Sequence, residues 1–421
     1  MSVTPPELEM KIDLNVIEHL GLKMYSSLPA VIAEYVANAW DAGATEVDIA
    51  IPSGQVSDDY AITITDNGFG MTVEEVNKKF LVVGRNRRAE EGKDEIEAVN
   101  GVKRKVIGRK GLGKLAGFGV AGVVKVRTVK NRSFVEFVMD YDEMRSRVAE
   151  EGLHVKTSYS PKVTGFGKTN EPDGTSISLL RLKRKRPVDA ESIRRNLARH
   201  FSVLSEDFVV KVNGQIVTPA ERELRSKCEY TWNIDECLDE DGRLRVTGWI
   251  GTMEKTVPPE IERGIVVLAR GKLVQTPTLF DVGGKGFTGM HALAYMVGEI
   301  HADFLDDDED LISTGRRSVI WEAETAQKLR QWANEKIKEI CREWVEKRRN
   351  KKVERVKQSN VYRERISKLP VRERRLIDSF LEKLAEREDV DEEVLQNIAD
   401  FMAFGVQYNA FLQLIEELDK A

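Results

Sequence analysis

The sequence predicts a mixed α/β (α+β) chain, with two successive α/β domains followed by a helical module. Three observations carry that expectation. An apolar-periodic stretch beginning at Pro29 is followed by an alternating run over residues 60–65. β-rich segments between 208 and 275 are separated by turns such as Asn213-Gly214 and Asp241-Gly242. Apolar stripes at three- and four-residue spacing run from Ala326 to Ile415. At 421 residues the chain has room for about two to three domains, expected at 1–185, 186–320 and 321–421.

The first element is a helix, because Val31, Ile32, Tyr35, Val36 and Ala39 recur at helical spacing. Within Glu34-Tyr-Val-Ala-Asn38-Ala-Trp-Asp41, the three polar residues lie four and three apart and share one face. A carboxylate beside a neutral amide suits a hydrolytic magnesium site: Asn38 offers a hard oxygen ligand and Glu34 can polarise water. Taken alone, a solvated helix face explains the same pattern.

The second element is a strand, in which Ile62 and Ile64 point one way and Thr63 and Thr65 the other. It ends in Asp66-Asn-Gly68-Phe-Gly70-Met71. Asp-Asn-Gly is an ordinary turn signal, but the second glycine and Met71 point beyond a simple reversal. A carboxylate there can accept from an adenine amino group, and glycines at 68 and 70 let the backbone approach a flat base.

A third segment, Gly108-Arg-Lys-Gly111-Leu112-Gly113-Lys114-Leu115-Ala-Gly117-Phe-Gly119, fits two phosphate motifs incompletely. Leu115 stands where a P-loop needs Ser or Thr, and the largely polar, charged stretch from Arg85 is a poor strand for a dinucleotide fingerprint. What remains is glycine-freed backbone N–H groups at a helix start, with Lys114 as an added cation. Together the three segments read as an ATP site.

In this order the segments resemble the N box, the Asp-x-Gly-x-Gly motif and the glycine-rich lid of the GHKL ATPase superfamily: gyrase B, Hsp90-like chaperones, histidine kinases, MutL and MORC ATPases. A fourth family element resembles Asp173-Gly174-Thr175. The resemblance covers residues 1–185 and implies a Bergerat-fold α/β sandwich that binds ATP with Mg2+. It also implies the roles. Glu34 would be the general base and Asn38 the magnesium ligand, with Asp41 on the same face. Asp66 would read adenine beside Gly68, Gly70 and Met71, with Thr175 in support. Gly108, Gly111, Leu112, Gly113, Lys114 and Leu115, on to Gly117, would cradle phosphates. His19 lies too close to Glu34 for a histidine kinase's phosphoacceptor helix and reads as a structural or surface residue. The Leu20-Gly-Leu-Lys-Met-Tyr25 segment instead resembles the chaperone and MORC branch.

Downstream, a helix over 190–204 and strands over 208–217, 230–234, 243–251 and 264–275 form the expected second domain. The resemblance makes it a transducer domain, ribosomal S5-like, that returns a basic residue to the terminal phosphate. Arg316 is the first candidate and Arg317 the second; pairing of both with the acidic run at 306–310 is the competing explanation. The last domain is read as a bundle, its first stripe being Ala326, Leu329, Ala333, Ile337, Ile340 and Trp344.

No apolar run is long enough to span a membrane and the N-terminus lacks signal-peptide features, so a cytoplasmic location is expected. Three cysteines without metal spacing read as free thiols, and a net charge of −5 argues against indiscriminate nucleic-acid binding. Basic clusters at 103–110, 181–186 and 347–357 read first as solvated faces and leave DNA contact open. Leu8, Met10, Ile12 and Leu14 alternate as a strand, either an edge strand or one exchanged in an ATP-closed homodimer. The function expected is an ATP-hydrolysing dimer clamp acting on DNA or a protein partner. The rival is a nucleotide-sensing scaffold with negligible hydrolysis.

Overall fold

The computed structural model describes residues 27–83, 92, 94–108, 111, 113–151, 159–218, 224–258, 261, 263–280, 290–307, 310–313, 318–387, 390, 392–405, 408, 411, 413–415 and 417. Residues 8–14, His19, Leu112, Arg316 and Arg317 lie outside the described residues, as do 84–91, 93 and 109–110 of the lid stretch.

The first helix, α1 (Leu28–Asp41), carries Pro29 in its first turn, where a missing N–H costs nothing. Its apolar face packs on an eight-stranded sheet. In chain order the strands of that sheet are β1 (Glu46–Ala50), β2 (Ile62–Asp66), β5 (Ala121–Lys130), β6 (Ser133–Asp140), β7 (Lys162–Lys168), β8 (Gly174–Leu182), β9 (Val209–Val212) and β10 (Gln215–Ile216). Their spatial order is β10-β9-β1-β2-β8-β5-β6-β7. Val31, Ile32 and Val36 meet Ile49, Ile62, Val124 and Leu179 in one buried cluster. On the opposite face of β2, Thr63 and Thr65 pair hydroxyl to hydroxyl with Ser178 and Ser176, both at 3.0 Å. The sheet is therefore apolar on one side and polar on the other, as the alternation in β2 requires. Between β2 and β5 lies a small hairpin, β3 (Glu95–Glu97) and β4 (Lys103–Lys105).

One grouping differs from the sequence expectation. Residues 190–217, assigned by patterning to the second domain, pack in the first. Helix α3 (Ala190–His200), which follows α2 (Tyr141–Glu151), buries Ile193 and Leu197 in the α1 cluster. β9 pairs in parallel with β1. Phe208 stacks edge-on against Trp40 with centroids 5.0 Å apart. Local alternation fixes that a strand exists; the sheet it joins is decided by which apolar surface accepts its buried side.

The second sheet has the order β11-β12-β15-β13-β14: β11 (Cys228–Cys237), β12 (Arg245–Met253), β13 (Gly264–Ala269), β14 (Lys272–Thr278) and β15 (Met296–His301). Helix α4 (Glu324–Gln358) runs 35 residues and serves two cores. Ala326, Leu329, Ala333, Ile337, Ile340 and Trp344 cover the second sheet against Ile250, Val267 and Ile300. The stripe read as bundle core is thus the roof of the second domain. Farther along, Val353 and Val356 join Ile377, Leu381, Leu395 and Ala399 of α5 (Val371–Ala385) and α6 (Glu392–Gly405). The basic run between these halves is spent internally. Arg348 and Lys351 hold Glu229, Arg349 holds Glu386, and Arg355 holds Glu392. Among the described residues no helix is long and apolar enough to cross a membrane.

Candidate nucleotide site and its second-domain contact

α1 supplies Glu34, Asn38 and Asp41 from one face. Glu34 is 9% exposed, against the core-facing side of the same helix. The glycine-rich segment Gly113–Gly119 is a short 3-10 stretch lying against it. A Cβ added at Gly113 would stand 3.0 Å from Glu34 Oε2 and 3.6 Å from the Asn38 amide, so a side chain there would crowd the carboxylate and glycine eases the close approach of the loop backbone. Tyr35 locks the same stretch from below, its hydroxyl accepting the Gly117 N–H at 3.1 Å. Asp41 fixes the entry to the loop by accepting the Ile107 and Gly108 N–H groups at 2.8 and 2.6 Å. Leu115 and Ala116 are buried beneath the turn. The Lys114 ammonium binds the Lys79 carbonyl at 3.1 Å and that of Val82, at the C-terminal end of the helical turn Val76–Phe80.

Asp66 ends β2 and accepts the Gly68 N–H at 2.9 Å. Burial pushes its carboxyl up to about 6, opposed by the Gly68 and Thr175 backbone N–H groups. Thr175 sits directly across on β8. Its hydroxyl is 3.1 Å from that of Thr128, which in turn accepts the Met71 N–H at 2.9 Å. Gly70 adopts φ +58°, and a Cβ there would fall 1.8 Å from the Val129 carbonyl oxygen. The strand end, the glycine turn and β8 thus close on one another around Asp66.

The second domain enters this site through Lys272. Its Nζ lies 2.7 Å from Glu34 Oε1, 238 residues away in sequence, and its side chain is 3% exposed. The lysine opens β14 directly after the Arg270-Gly271 turn, whose φ values of +52° and +75° are those of a type I′ hairpin. Ser202 donates its N–H to the Gly271 carbonyl at 2.9 Å, seating the tip beside the end of α3.

Residues 25–169 match a family described as histidine kinase-, DNA gyrase B-, and HSP90-like ATPase. Residues 25–169 are thus a GHKL-like ATPase domain. Beyond that domain, a 336-residue match at 30% identity reaches a Herpetosiphon aurantiacus protein described as "Putative type II restriction enzyme HgiDII". It covers 74% of the chain and 52% of the relative, so the chain spans about half the length of the relative it matches.

The GHKL domain is an ATP-binding domain, and the glycine cradle over Glu34 and Asn38 fits phosphate. Among the described residues no group of three or more His, Cys, Asp or Glu side chains could hold a metal. A magnesium ion carried by nucleotide phosphates needs only one or two protein oxygens, and the Asn38 amide fits that need. Sequence reasoning missed Lys272, Tyr35 and Thr128. It read 264–275 as one strand, whereas the structure breaks it at Arg270-Gly271 into β13 and β14. The signal was present: a charged residue and a glycine interrupting an apolar run mark a hairpin.

Proposed function

We propose that the chain is a magnesium-dependent ATPase whose second domain senses the terminal phosphate through Lys272, and that ATP closes two copies into a clamp. The observation carrying this reading is the buried Lys272–Glu34 pair at 2.7 Å. A base held by a cation from another domain is a switch in two positions. With γ-phosphate in the cradle beside Gly113, the ammonium has a second anion within reach. Its transfer to that anion frees Glu34 to take a proton from water as the water oxygen bonds to phosphorus and the β–γ bridging bond breaks. Asp66 orients the adenine, the backbone around Gly113 binds phosphate, and Asn38 would hold the magnesium ion, whose chemistry is to neutralise phosphate charge. Arg316 and Arg317 retain their proposed place near the phosphate on sequence grounds alone.

The relative's description as a restriction enzyme favours DNA over a protein client as the clamped partner. The same ion pair also supports the rival reading, since a carboxylate held by an ammonium is a weak base and a chain locked in that state would sense nucleotide without turning it over. ATP turnover measured with and without magnesium and duplex DNA, across a salt series, separates the two. Magnesium-dependent turnover that DNA stimulates, with the stimulation fading as salt rises, is the outcome expected. Tight ATP binding without phosphate release under every condition establishes the scaffold instead.

A further inference from the structure

The hairpin tip that delivers Lys272 has a second prong. Arg270 stands at the first central position of the turn with φ +52°, where a type I′ turn favours Asn, Asp or Gly and an ordinary L-residue is strained. Strain of this kind persists where surrounding contacts hold the residue in place. Here they surround the guanidinium, whose side chain is 3% exposed. Nη1 donates to Asp94 at 2.7 Å and lies 3.5 Å from the Val106 carbonyl oxygen; Nη2 donates to Asp307 at 2.6 Å. The Arg270 backbone N–H donates to Asp303 at 2.7 Å, and Asp303 also lies 3.6 Å from Lys105.

Asp94 and Val106 are the two feet of the β3–β4 hairpin, joined by the Val106 N–H to the Asp94 carbonyl at 2.9 Å. The next two residues, Ile107 and Gly108, are those whose N–H groups Asp41 holds at the entrance to the glycine-rich loop. One side chain therefore joins the second domain's acidic segment, through Asp307, to the strand that feeds the phosphate cradle. Two residues farther along the same tip, Lys272 holds the base. Moving the tip moves both.

We propose that Arg270 is a positioning residue that sets the glycine-rich loop relative to Glu34, so that the second domain controls phosphate binding as well as the base. The proposal rests on the ATP-site reading. Its mark is an effect on the loop in the absence of any turnover.

Hydrogen exchange of the amides at 94–108 in the nucleotide-free full chain tests it, with ADP and ATP affinities measured in parallel. Asp94→Asn removes the charge of a partner whose own side chain is 51% exposed, so the variant keeps its core. Exchange at 106–108 should quicken about five- to tenfold in Asp94→Asn and Arg270→Met, and nucleotide affinity should fall by a similar factor while global unfolding of Asp94→Asn stays near wild type. Arg270→Lys, which keeps the charge but loses the fork, should fall between. The double variant should be less than additive by at least about twofold. Unchanged exchange and affinity in Asp94→Asn, or full additivity, would reduce Arg270 to an ordinary ion pair and overturn the proposal. A wild-type chain that binds ATP without hydrolysing it would defeat the hydrolytic reading while leaving the exchange result standing.

Discussion

Two regions converge on Glu34 and are written in the sequence in opposite ways. The cleft of the first domain is built from contiguous motifs, each a few residues long, whose glycines and carboxylates lie within a few ångströms of one another. The hairpin tip of the second domain is three residues, Arg270-Gly271-Lys272, whose chemistry appears only when the chain brings Lys272 across 238 residues to a buried carboxylate. Motifs carried by local spacing can be read without a fold. A contact between domains requires the fold first.

The largest expected effect breaks the contact from the second domain's side. Lys272→Met leaves Glu34 buried without this cation, and removing one partner of a buried pair typically costs about 3–5 kcal/mol. Denaturant unfolding should report a loss of that order, and the Glu34→Gln/Lys272→Met double variant should recover most of it. If Lys272→Met is as stable as wild type, the pair is not the joint that separates these regions' roles. Lys272→Met should also slow ATP turnover while leaving ADP affinity within about twofold, because ADP lacks the phosphate for which the ammonium would leave Glu34.

Breaking the contact from the first domain's side is the next largest. Glu34→Gln keeps the shape and hydrogen-bonding capacity of the side chain but removes the proton acceptor. Phosphate release should fall at least about 10²-fold with ATP still bound. Retained turnover would exclude Glu34 as the base and leave Lys272 holding a structural carboxylate.

Much of the first domain was legible because its signals are short-range. Helical spacing gave α1, alternation gave β2 and its polar face, and the glycine at 70 is required by a close approach to the Val129 carbonyl, while a Cβ at 108 or 113 would crowd the carboxylates of Asp41 and Glu34. What escaped was decided by packing at a distance. Phe208 and Val210 look the same whether their strand lies in the first sheet or the second; contact with Trp40 and the rest of the α1 cluster decides. Ala326 to Trp344 form an apolar stripe that a bundle or a sheet could bury equally well, and the second sheet does. Tyr35 reads only as one of the apolar-periodic positions of α1 and Thr128 carries no local signal; both are buried, yet their hydroxyls hold the loop and Met71.

A smaller effect sharpens the cleft's own chemistry through pH. Asp66 has its folded pKa raised to about 6 by burial, above the usual carboxyl value near 4. Between those values the folded state retains a proton that the unfolded state has lost, so this group's contribution to stability falls as pH rises through that window. If Asp66 reads adenine as proposed, nucleotide binding runs the other way, since the amino group needs the ionised acceptor. ADP affinity by calorimetry should be level above about pH 7 and weaken by up to about tenfold per unit below 6. Asp66→Asn should bind weakly throughout and keep only the slope due to the nucleotide's own phosphates. An identical slope in both proteins removes Asp66 from adenine recognition.

The smallest expected effect concerns the basic run of α4, far in sequence from either region. Arg355 pairs with Glu392, with side chains 50% and 47% exposed, and so exposed a pair adds only a marginal increment of stability, screened by salt. Arg355→Ala should therefore shift unfolding by no more than that, less at high salt, and leave ATP turnover unchanged. The decisive measurement is DNA affinity. A lysine or arginine that meets a phosphate contributes about one unit to the slope of log affinity against log salt. If this run serves only to fasten α4 to α5 and α6, the slope for Arg355→Ala matches wild type. A slope lower by about one would make the same arginine a DNA contact exchanged for Glu392 on binding, and would place a third region beside the cleft and the hairpin tip in the working of the switch.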